Sequence, residues 1–444
     1  MIPYVEPRMK MEVDDNMPSK LSKESKDDML VNNLIYRQPV DLSLVKSRSH
    51  VKQFFQRSDY KNAGGQTAIC DWNTGSSYIN IANSFLVFNI KLSSANTVNR
   101  PYTYGADGSA MNAINRIMIR TKSGSEIDRV DYVPLWSRTD TQYNCTKDYR
   151  DTVMSMAGYG ISYLVSIPTL DVPAYKVAIP LERLAPIFNP LKKQLMPPQL
   201  ASGLHIEFVF EQLGTVFSTN NLSLDTPTYD ITNLHFLLDQ VDLSDEAQKA
   251  IAVESAETGL EWVTPRVYSL QTSLAGGVTT ANVQIRKAVT QATRAWTVVQ
   301  NPFEAKDVVN DSVASLDQPF YVKWQYNLGS LYFPNQEVVD DNPTTPVSSM
   351  IEALYAFDKT KDGSLGCRVT TQDFSQGSAI YAMTANRDDD LFLSGLNINN
   401  SRALQFKFEA QWEPSDQNLQ HLLTSFLEYI QVVKCYSDQS VVSI

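Results

Sequence analysis

The 444-residue chain is poor in cysteine, histidine and long apolar runs. Its four cysteines, Cys70, Cys145, Cys367 and Cys435, are too few and too far apart to indicate a disulfide framework or a zinc site. We therefore expect reduced, mostly buried thiols in a reducing compartment. No apolar run reaches the roughly 20 residues that a membrane-spanning helix needs. The first thirty residues mix acidic and basic side chains without an apolar stretch, so we expect no signal peptide and no secretion.

Positive charge is also scarce. The chain has 38 lysines and arginines and 49 aspartates and glutamates, which gives a formal net charge of −11. A surface that coats nucleic acid needs lysine and arginine to neutralise phosphates, and the chain has no basic arm and no arginine-rich tail. An acidic balance also serves solubility alone. We therefore expect no sequence-specific binding to nucleic acid.

Patterns that carry catalytic chemistry are missing as well. The histidines His50, His205, His235 and His421 are isolated, and none has cysteine, histidine or carboxylate neighbours at metal-ligand spacing. The chain contains no Gly-x-Ser-x-Gly and no His-Glu-x-x-His motif. We predict no catalytic, cofactor-binding or metal-binding residues, no cofactor, and no enzyme activity.

What the chain does contain is an alternating strand pattern that occurs twice. Residues 204–210 and 404–412 each place leucine and aromatic side chains on one face and mostly polar side chains on the other. Successive side chains of a strand point to opposite faces, so each segment predicts a strand with one buried face. Two such strands 200 positions apart favour one chain with two related β-domains.

The distribution of strand and turn patterns predicts the domain boundaries. Residues 1–48 are polar and of mixed charge, which indicates an extended or partly disordered N-terminal arm, or an arm that becomes ordered against a neighbouring subunit or a membrane. Strand patterns indicate a first sandwich over 49–212 and a second over 230–444. Between them, residues 213–229 are rich in turn-forming residues and are predicted to be a linker.

Local patterns within the second unit predict individual elements. Ser244 is predicted to cap a short helix, and Tyr321–Leu328 is predicted to be a strand. A polar loop is predicted over 336–348. An amphipathic helix is predicted over 415–425, because four apolar residues recur there at helical spacing. These residues are Leu419, Leu422, Leu423 and Phe426.

Several segments resemble a known family. The most specific runs from Ile179 to Glu207 and contains Ile-Pro-Leu, Leu-Met-Pro-Pro-Gln-Leu and Ser-Gly-Leu-His-Ile-Glu. Weaker matches are Gly64–Phe88, Arg116–Tyr132 and Leu328–Pro334. Together they resemble the major capsid proteins of double jelly-roll DNA viruses, and among those the Polinton-like and adintovirus-like group. The matches span about residues 60–340, with gaps.

Two positions depart from the pattern of this family. Ser123-Gly124 stands where the family's hairpin has Asn-Gly, and Phe85 stands where the family has tyrosine. Both changes are mild, since each keeps the turn or the aromatic side chain. They do not alter the expected fold.

The resemblance implies an all-β fold of two tandem eight-stranded jelly-roll β-sandwiches, with short helices in the connections. It also implies homotrimers that form pseudo-hexagonal capsomers and tile an icosahedral shell around double-stranded DNA. The implied partners are neighbouring capsomers, penton and minor capsid proteins, a packaging ATPase, and an internal membrane reached through the N-terminal arm. The implied location is the virion capsid, assembled inside the host cell.

One segment is predicted to contribute to contacts between subunits. Proline cannot donate a hydrogen bond to a sheet, so the proline-rich stretch over 186–199 is expected to lie outside the sheets. We predict that it contributes to trimer or capsomer contacts, together with the loop over 93–110. Alanine at Leu195 and Met196 is expected to weaken trimers more than the fold. The predicted contact residues are Pro186, Leu195, Met196, Pro197 and Pro198.

Two other interpretations remain open. One is a capsid protein of another virus lineage derived from single jelly rolls, although such proteins usually carry basic arms. The other is a β-sandwich protein that binds or acts on carbohydrate, which needs a carboxylate pair or an aromatic platform on one sheet face.

Overall fold

The fold is seen in a computed structural model. It describes residues 45–93, 101–104, 109–159, 165–166, 174–219, 228–301, 316, 318–357, 369–385, 395–398, 402–414, 417–436 and 441–443. Most of the arm predicted over 1–48 and most of the loop predicted over 93–110 lie outside the described residues.

Eight antiparallel strands build the first sandwich as two four-stranded sheets. The strands are β1 (Val45–Phe54), β2 (Thr67–Asp71), β3 (Tyr78–Ser93), β4 (Ile114–Arg120), β5 (Glu126–Asp131), β6 (Tyr175–Pro180), β7 (His205–Phe210) and β8 (Thr228–Leu243). One sheet has the order β1-β8-β3-β6, and the other has the order β2-β7-β4-β5. The first and last strands are therefore neighbours, although the whole sandwich separates them in sequence.

The second sandwich repeats this arrangement. Its strands are β9 (Leu260–Leu274), β10 (Thr280–Ile285), β11 (Val289–Gln300), β12 (Tyr321–Leu328), β13 (Leu331–Asp340), β14 (Tyr381–Thr384), β15 (Leu404–Gln411) and β16 (His421–Cys435). The sheet orders are β9-β16-β11-β14 and β10-β15-β12-β13. Each strand of the second sandwich corresponds to the strand of the first whose number is lower by eight, so that β9 corresponds to β1 and β16 to β8. The predicted tandem of eight-stranded jelly rolls is confirmed.

The two strands with the clearest alternation occupy equivalent positions. In β7 the residues Ile206, Phe208 and Phe210 are buried, and their neighbours along the strand are half-exposed. In β15 the buried residues again alternate, from Leu404 to Ala410. Each strand lies second in its sheet. The sequence pattern therefore located the same structural position in both sandwiches, because that strand is central to each core.

Helices lie in the connections between strands. The longer ones are α1 (Val133–Asn144), α2 (Lys147–Thr152), α3 (Asp245–Glu257) and α4 (Val347–Ala356). As predicted, Ser244 caps α3, and its hydroxyl accepts a hydrogen bond from the Ala247 amide at 3.4 Å. The single turns are Ala110–Ala113, Met154–Ala157, Leu181–Arg183, Pro186–Phe188, Pro198–Ala201, Leu213–Val216, Thr371–Asp373 and Phe374–Ser378.

Five short strands complete the described elements. Phe217–Thr219, Pro101–Tyr104 and Val165–Ser166 form a separate three-stranded sheet. Leu396–Ile398 pairs with β11, and Val441–Ser443 pairs with β16. These strands extend the connections and the sheet edges without changing the jelly-roll order.

The buried apolar side chains form two large clusters. One fills the interior of the second sandwich, between its two sheets. The other fills the first sandwich and continues onto the outer face of the β9-β16-β11-β14 sheet, where it includes Trp262, Trp296 and Phe426. The two sandwiches are thus joined by apolar packing as well as by the chain itself.

Three local predictions need correction or comment. The loop predicted over 336–348 is wrong in part, because β13 extends to Asp340 and α4 begins at Val347. The helix predicted over 415–425 is wrong, because β16 begins at His421. Finally, β8 crosses the end of the predicted linker and pairs with β1 and β3 of the first sandwich. The domain boundaries as a whole stay a prediction, although this strand belongs to the first sheet.

Candidate functional site at the junction of the sandwiches

The described residues show little that resembles a reaction centre. Among them, no three histidine, cysteine or acidic side chains lie close enough together to hold a metal ion. Cys70, Cys145 and Cys435 are buried free thiols, and burial raises the pKa of each to about 12. Cys367 lies outside the described residues. In the described part of the chain, no helix is both long and apolar enough to cross a membrane.

The histidines lie apart from one another, each in a different setting. His50 is exposed on β1, and His205 contacts Asp71 at 2.7 Å. His235 contacts the Asn233 carbonyl through its Nδ1 at 2.7 Å. His421 is buried and stacks on Trp412 with ring centroids 3.6 Å apart. Each of the three histidines with a described contact therefore has a different partner.

The proline-rich segment over 186–199, which is predicted to contact other subunits, joins the two sandwiches of one chain. On one side, Met196 and Ile79 exchange backbone hydrogen bonds of 2.8 and 3.0 Å. On the other side, the Trp262 indole donates to the Ile187 carbonyl at 2.9 Å, and the Leu191 amide donates to the Val263 carbonyl at 3.0 Å. The segment therefore ties β3 of the first sandwich to β9 of the second.

The five predicted contact residues differ in exposure. Pro186, Met196 and Pro197 are buried, whereas Leu195 and Pro198 are half-buried. Met196 has no exposed surface and belongs to the core cluster of the first sandwich. Its side chain therefore contributes to the fold of the single chain. A role for the five residues between subunits stays a prediction.

Leu195 and Pro197 also line a cleft of about 520 Å³ between α3 and β9. Its other walls include Tyr78, Ile251 and Trp262, and its charged residues are Glu261 and Lys434, which form an ion pair of 3.0 Å. Glu261 is the one acidic residue of this lining, and it is paired with a lysine. The cleft therefore offers no pair of carboxylates for acid–base chemistry.

Helix α1 makes a second connection across the junction. The Arg138 guanidinium donates to the Gly377 carbonyl at 2.6 Å, and the Tyr143 hydroxyl donates to the Ser378 carbonyl at 3.0 Å. The Tyr143 ring packs on Phe357, with centroids 5.2 Å apart. These contacts bury ten of the twelve residues of α1. Helix α1 is therefore an internal element of the chain.

A buried carboxylate lies at the same junction. Asp128 of β5 accepts hydrogen bonds from the Ile187 amide at 3.0 Å and from the Arg129 amide at 2.9 Å. The Arg266 guanidinium of β9 lies 3.7 Å from the carboxylate oxygen that accepts from the Arg129 amide. Burial raises the pKa of Asp128 to about 6, although Arg266 and the two amides act in the opposite direction. A carboxyl whose pKa is raised in the folded chain makes the free energy of unfolding depend on pH.

Helix α4 differs from α1, because one side of it is apolar and exposed. Val347, Ile351 and Tyr355 recur at a spacing of four residues and are 48%, 43% and 53% exposed. We call these three side chains the helix face. Only three residues of the ten in α4 are buried. The sequence analysis missed this surface, although the spacing of four is a readable helical signal.

A second apolar surface lies on the outer side of the β1-β8-β3-β6 sheet. Phe54 is 56% exposed there, and its ring packs on His235 with centroids 5.6 Å apart. The register places Leu237 and Phe85 beside each other on the same side, and both are half-buried. We call the surface with Phe54, Phe85 and Leu237 the open sheet.

Comparison with known proteins gives a likeness in structure alone. No protein-family model matches the chain, and no curated protein sequence does so either. A model of the PBCV-1 virus capsid is similar with a TM-score of 0.61 and 10% identity over 92% of this chain and 98% of that chain. The Faustovirus major capsid protein has a TM-score of 0.58 and 9% identity over 96% and 95%. The mavirus major capsid protein has a TM-score of 0.52 and 10% identity over 100% and 96%. At such identities, the likeness shows the double jelly-roll fold.

Proposed function

We propose that the chain is a structural subunit of a viral capsid and has no catalytic role. The observation that carries this proposal is the agreement over whole chains with capsid proteins of DNA viruses. Nearly the full length of this chain and of each of those chains is covered, at TM-scores of 0.61 and 0.58. A fold can host many functions, so the proposal also uses the site. The described junction consists of hydrogen bonds and apolar contacts between the two sandwiches, and its cleft has no paired carboxylates.

In its finer form, the proposal is a major capsid protein of the Polinton-like and adintovirus-like group. Three copies form a pseudo-hexagonal capsomer, since each copy contributes two similar sandwiches to a ring of six. Capsomers tile an icosahedral shell around double-stranded DNA, with penton and minor capsid proteins at other positions. The acidic chain supports a shell that does not gather its genome through a basic surface. The expected location is the virion, assembled inside the host cell.

Electron microscopy of the purified full chain tests this proposal. We expect particles of hexagonal outline with six density lobes, and a mass in solution three times that of the 49.9 kDa chain. A chain that stays monomeric at high concentration would contradict the proposal. Turnover of a glycan by that monomer would favour the carbohydrate interpretation instead.

A further inference from the structure

We propose that the helix face of one copy packs against the open sheet of a second copy. This inference rests on the proposed self-assembly and adds the surfaces that carry it. The two surfaces lie in different sandwiches, so the contact is heterologous: one copy supplies the helix, and its neighbour supplies the sheet.

The internal repeat supports this pairing. Helix α1 follows β5 in the first sandwich, and α4 follows β13, the equivalent strand of the second. Likewise the β1-β8-β3-β6 sheet is equivalent to the β9-β16-β11-β14 sheet. The chain therefore contains two helices at equivalent positions and two sheets at equivalent positions.

Among the described residues, α1 reaches from the first sandwich to the second, whereas α4 packs on β13 and β14 of its own sandwich and leaves the helix face exposed. The outer face of the β9-β16-β11-β14 sheet is covered: Trp262 lies under the segment that joins the sandwiches, and Trp296 packs on Phe357 at 5.6 Å. Phe357 in turn packs on Tyr143 of α1. In the part of the chain that the structure describes, α4 and the β1-β8-β3-β6 sheet are, of these two helices and two sheets, the helix and the sheet that expose large apolar side chains. A second copy is the partner that offers each of them its equivalent neighbour.

The apolar area and the charges of the two surfaces are compatible with a contact between two copies of the chain. The half-exposed aromatic rings of Tyr355 and Phe54 offer roughly 200 Å² of apolar surface between them. That amount suits the centre of an interface of about 800 Å² per partner, with a polar rim around it. The open sheet carries Lys52 and Lys176 on the same side as Phe54, whereas Glu352 flanks the helix face. Opposite charges would thus meet around the apolar centre.

Two single substitutions and a control test the contact in the full chain. Ile351→Asp alters the helix face, Phe54→Asp alters the open sheet, and Val253→Asp places the same charge on α3 at a residue that is 59% exposed. Mass photometry across a concentration series measures association. We expect each of the first two variants to associate about thirtyfold or more weakly than the wild type, and the control to associate normally. Unchanged thermal unfolding would show that the monomers are folded.

Mixing the two defective variants gives a sharper test. The Phe54→Asp copy keeps its helix face, and the Ile351→Asp copy keeps its open sheet, so one contact can form between them. We expect heterodimers that cannot close into a ring. Normal association of the Ile351→Asp variant would overturn the contact and leave the proposed capsid function standing, and equal loss in the Val253→Asp control would also overturn it. A monomeric wild type would overturn both.

Discussion

The two sandwiches share one strand order, but their equivalent surfaces are used differently. In the second sandwich, the outer face of the β9-β16-β11-β14 sheet buries Trp262 and Trp296 under residues of the first sandwich and of the connections. In the first sandwich, the equivalent face leaves Phe54 exposed. The same contrast separates the buried helix α1 from the exposed helix α4. In the proposed assembly, the second of these two equivalent contacts forms between copies of the chain.

The penultimate residues of the two helices give the largest expected difference. Tyr143 of α1 has no exposed surface, so Tyr143→Ala should lower the free energy of unfolding by about 3–5 kcal/mol through the cavity it creates. Tyr355 of α4 is 53% exposed, so Tyr355→Ala should change it by less than about 0.5 kcal/mol in the monomer. Urea unfolding at low protein concentration measures both.

Tyr143→Phe is the matched control for that pair. It keeps the ring on Phe357 and removes the hydrogen bond to the Ser378 carbonyl, for an expected loss of about 1 kcal/mol. Similar losses for Tyr143→Ala and Tyr355→Ala would mean that the two helices do not differ as described.

Met196 and Leu195 allow a second comparison, between a core residue and its half-exposed neighbour. Because Met196 is fully buried in the first sandwich, Met196→Ala should cost about 2–5 kcal/mol of unfolding free energy. Leu195→Ala should cost less, since its side chain borders the cleft beside α3. This reverses the expectation that both residues affect trimers more than the fold. Unfolding and association measured on the same samples separate the two effects, and an intact fold with weakened association for Met196→Ala would restore the original prediction.

The junction itself should respond to pH through Asp128. In the folded chain, burial raises the pKa of this carboxyl from the ordinary value of 3.8 to about 6. The wild type should therefore lose about 2–3 kcal/mol of unfolding free energy relative to Asp128→Asn as the pH rises from about 4 to about 7.5. Urea unfolding of both chains at the two pH values measures the change. A difference independent of pH would show that the carboxyl titrates normally.

The smallest expected effect concerns charge at the edge of the open sheet. Lys52→Glu reverses one exposed charge on β1 and should leave the unfolding of the monomer unchanged. If the acidic flank of α4 approaches this edge, association should weaken about fivefold or less, and the loss should shrink at high salt. Mass photometry at two salt concentrations measures it. Stronger association of this variant would place the helix face elsewhere.

The sequence predicted well those elements that have one buried and one wet face. The strands predicted over 204–210 and 404–412 match β7 and β15 to within one residue, and both alternate between buried and more exposed side chains. The failure at 415–425 has a physical cause, since the first half of β16 is buried on both sides from Leu423 to Leu427. Leu423 faces the core of the second sandwich, and Phe426 faces the junction. A strand buried on both faces has no period of two, so its apolar residues can imitate helical spacing.

The candidate site was harder to predict than the fold. The sequence identified Met196 as an apolar residue outside the strands, but an apolar pattern does not say whether a residue faces its own chain or another. The pairing of Met196 with Ile79 joins residues far apart in sequence, and only the fold brings them together. The helix face was readable from its spacing of four. Its exposure among the described residues became visible only beside the buried helix α1.

The most direct test of the account is a cryo-electron microscopy map of the assembled wild-type chain. We expect Tyr355 of each copy to lie against the open sheet of the next copy, close to Phe54, with the contact repeated around a closed ring. A closed assembly in which α4 faces solvent on every copy would contradict it.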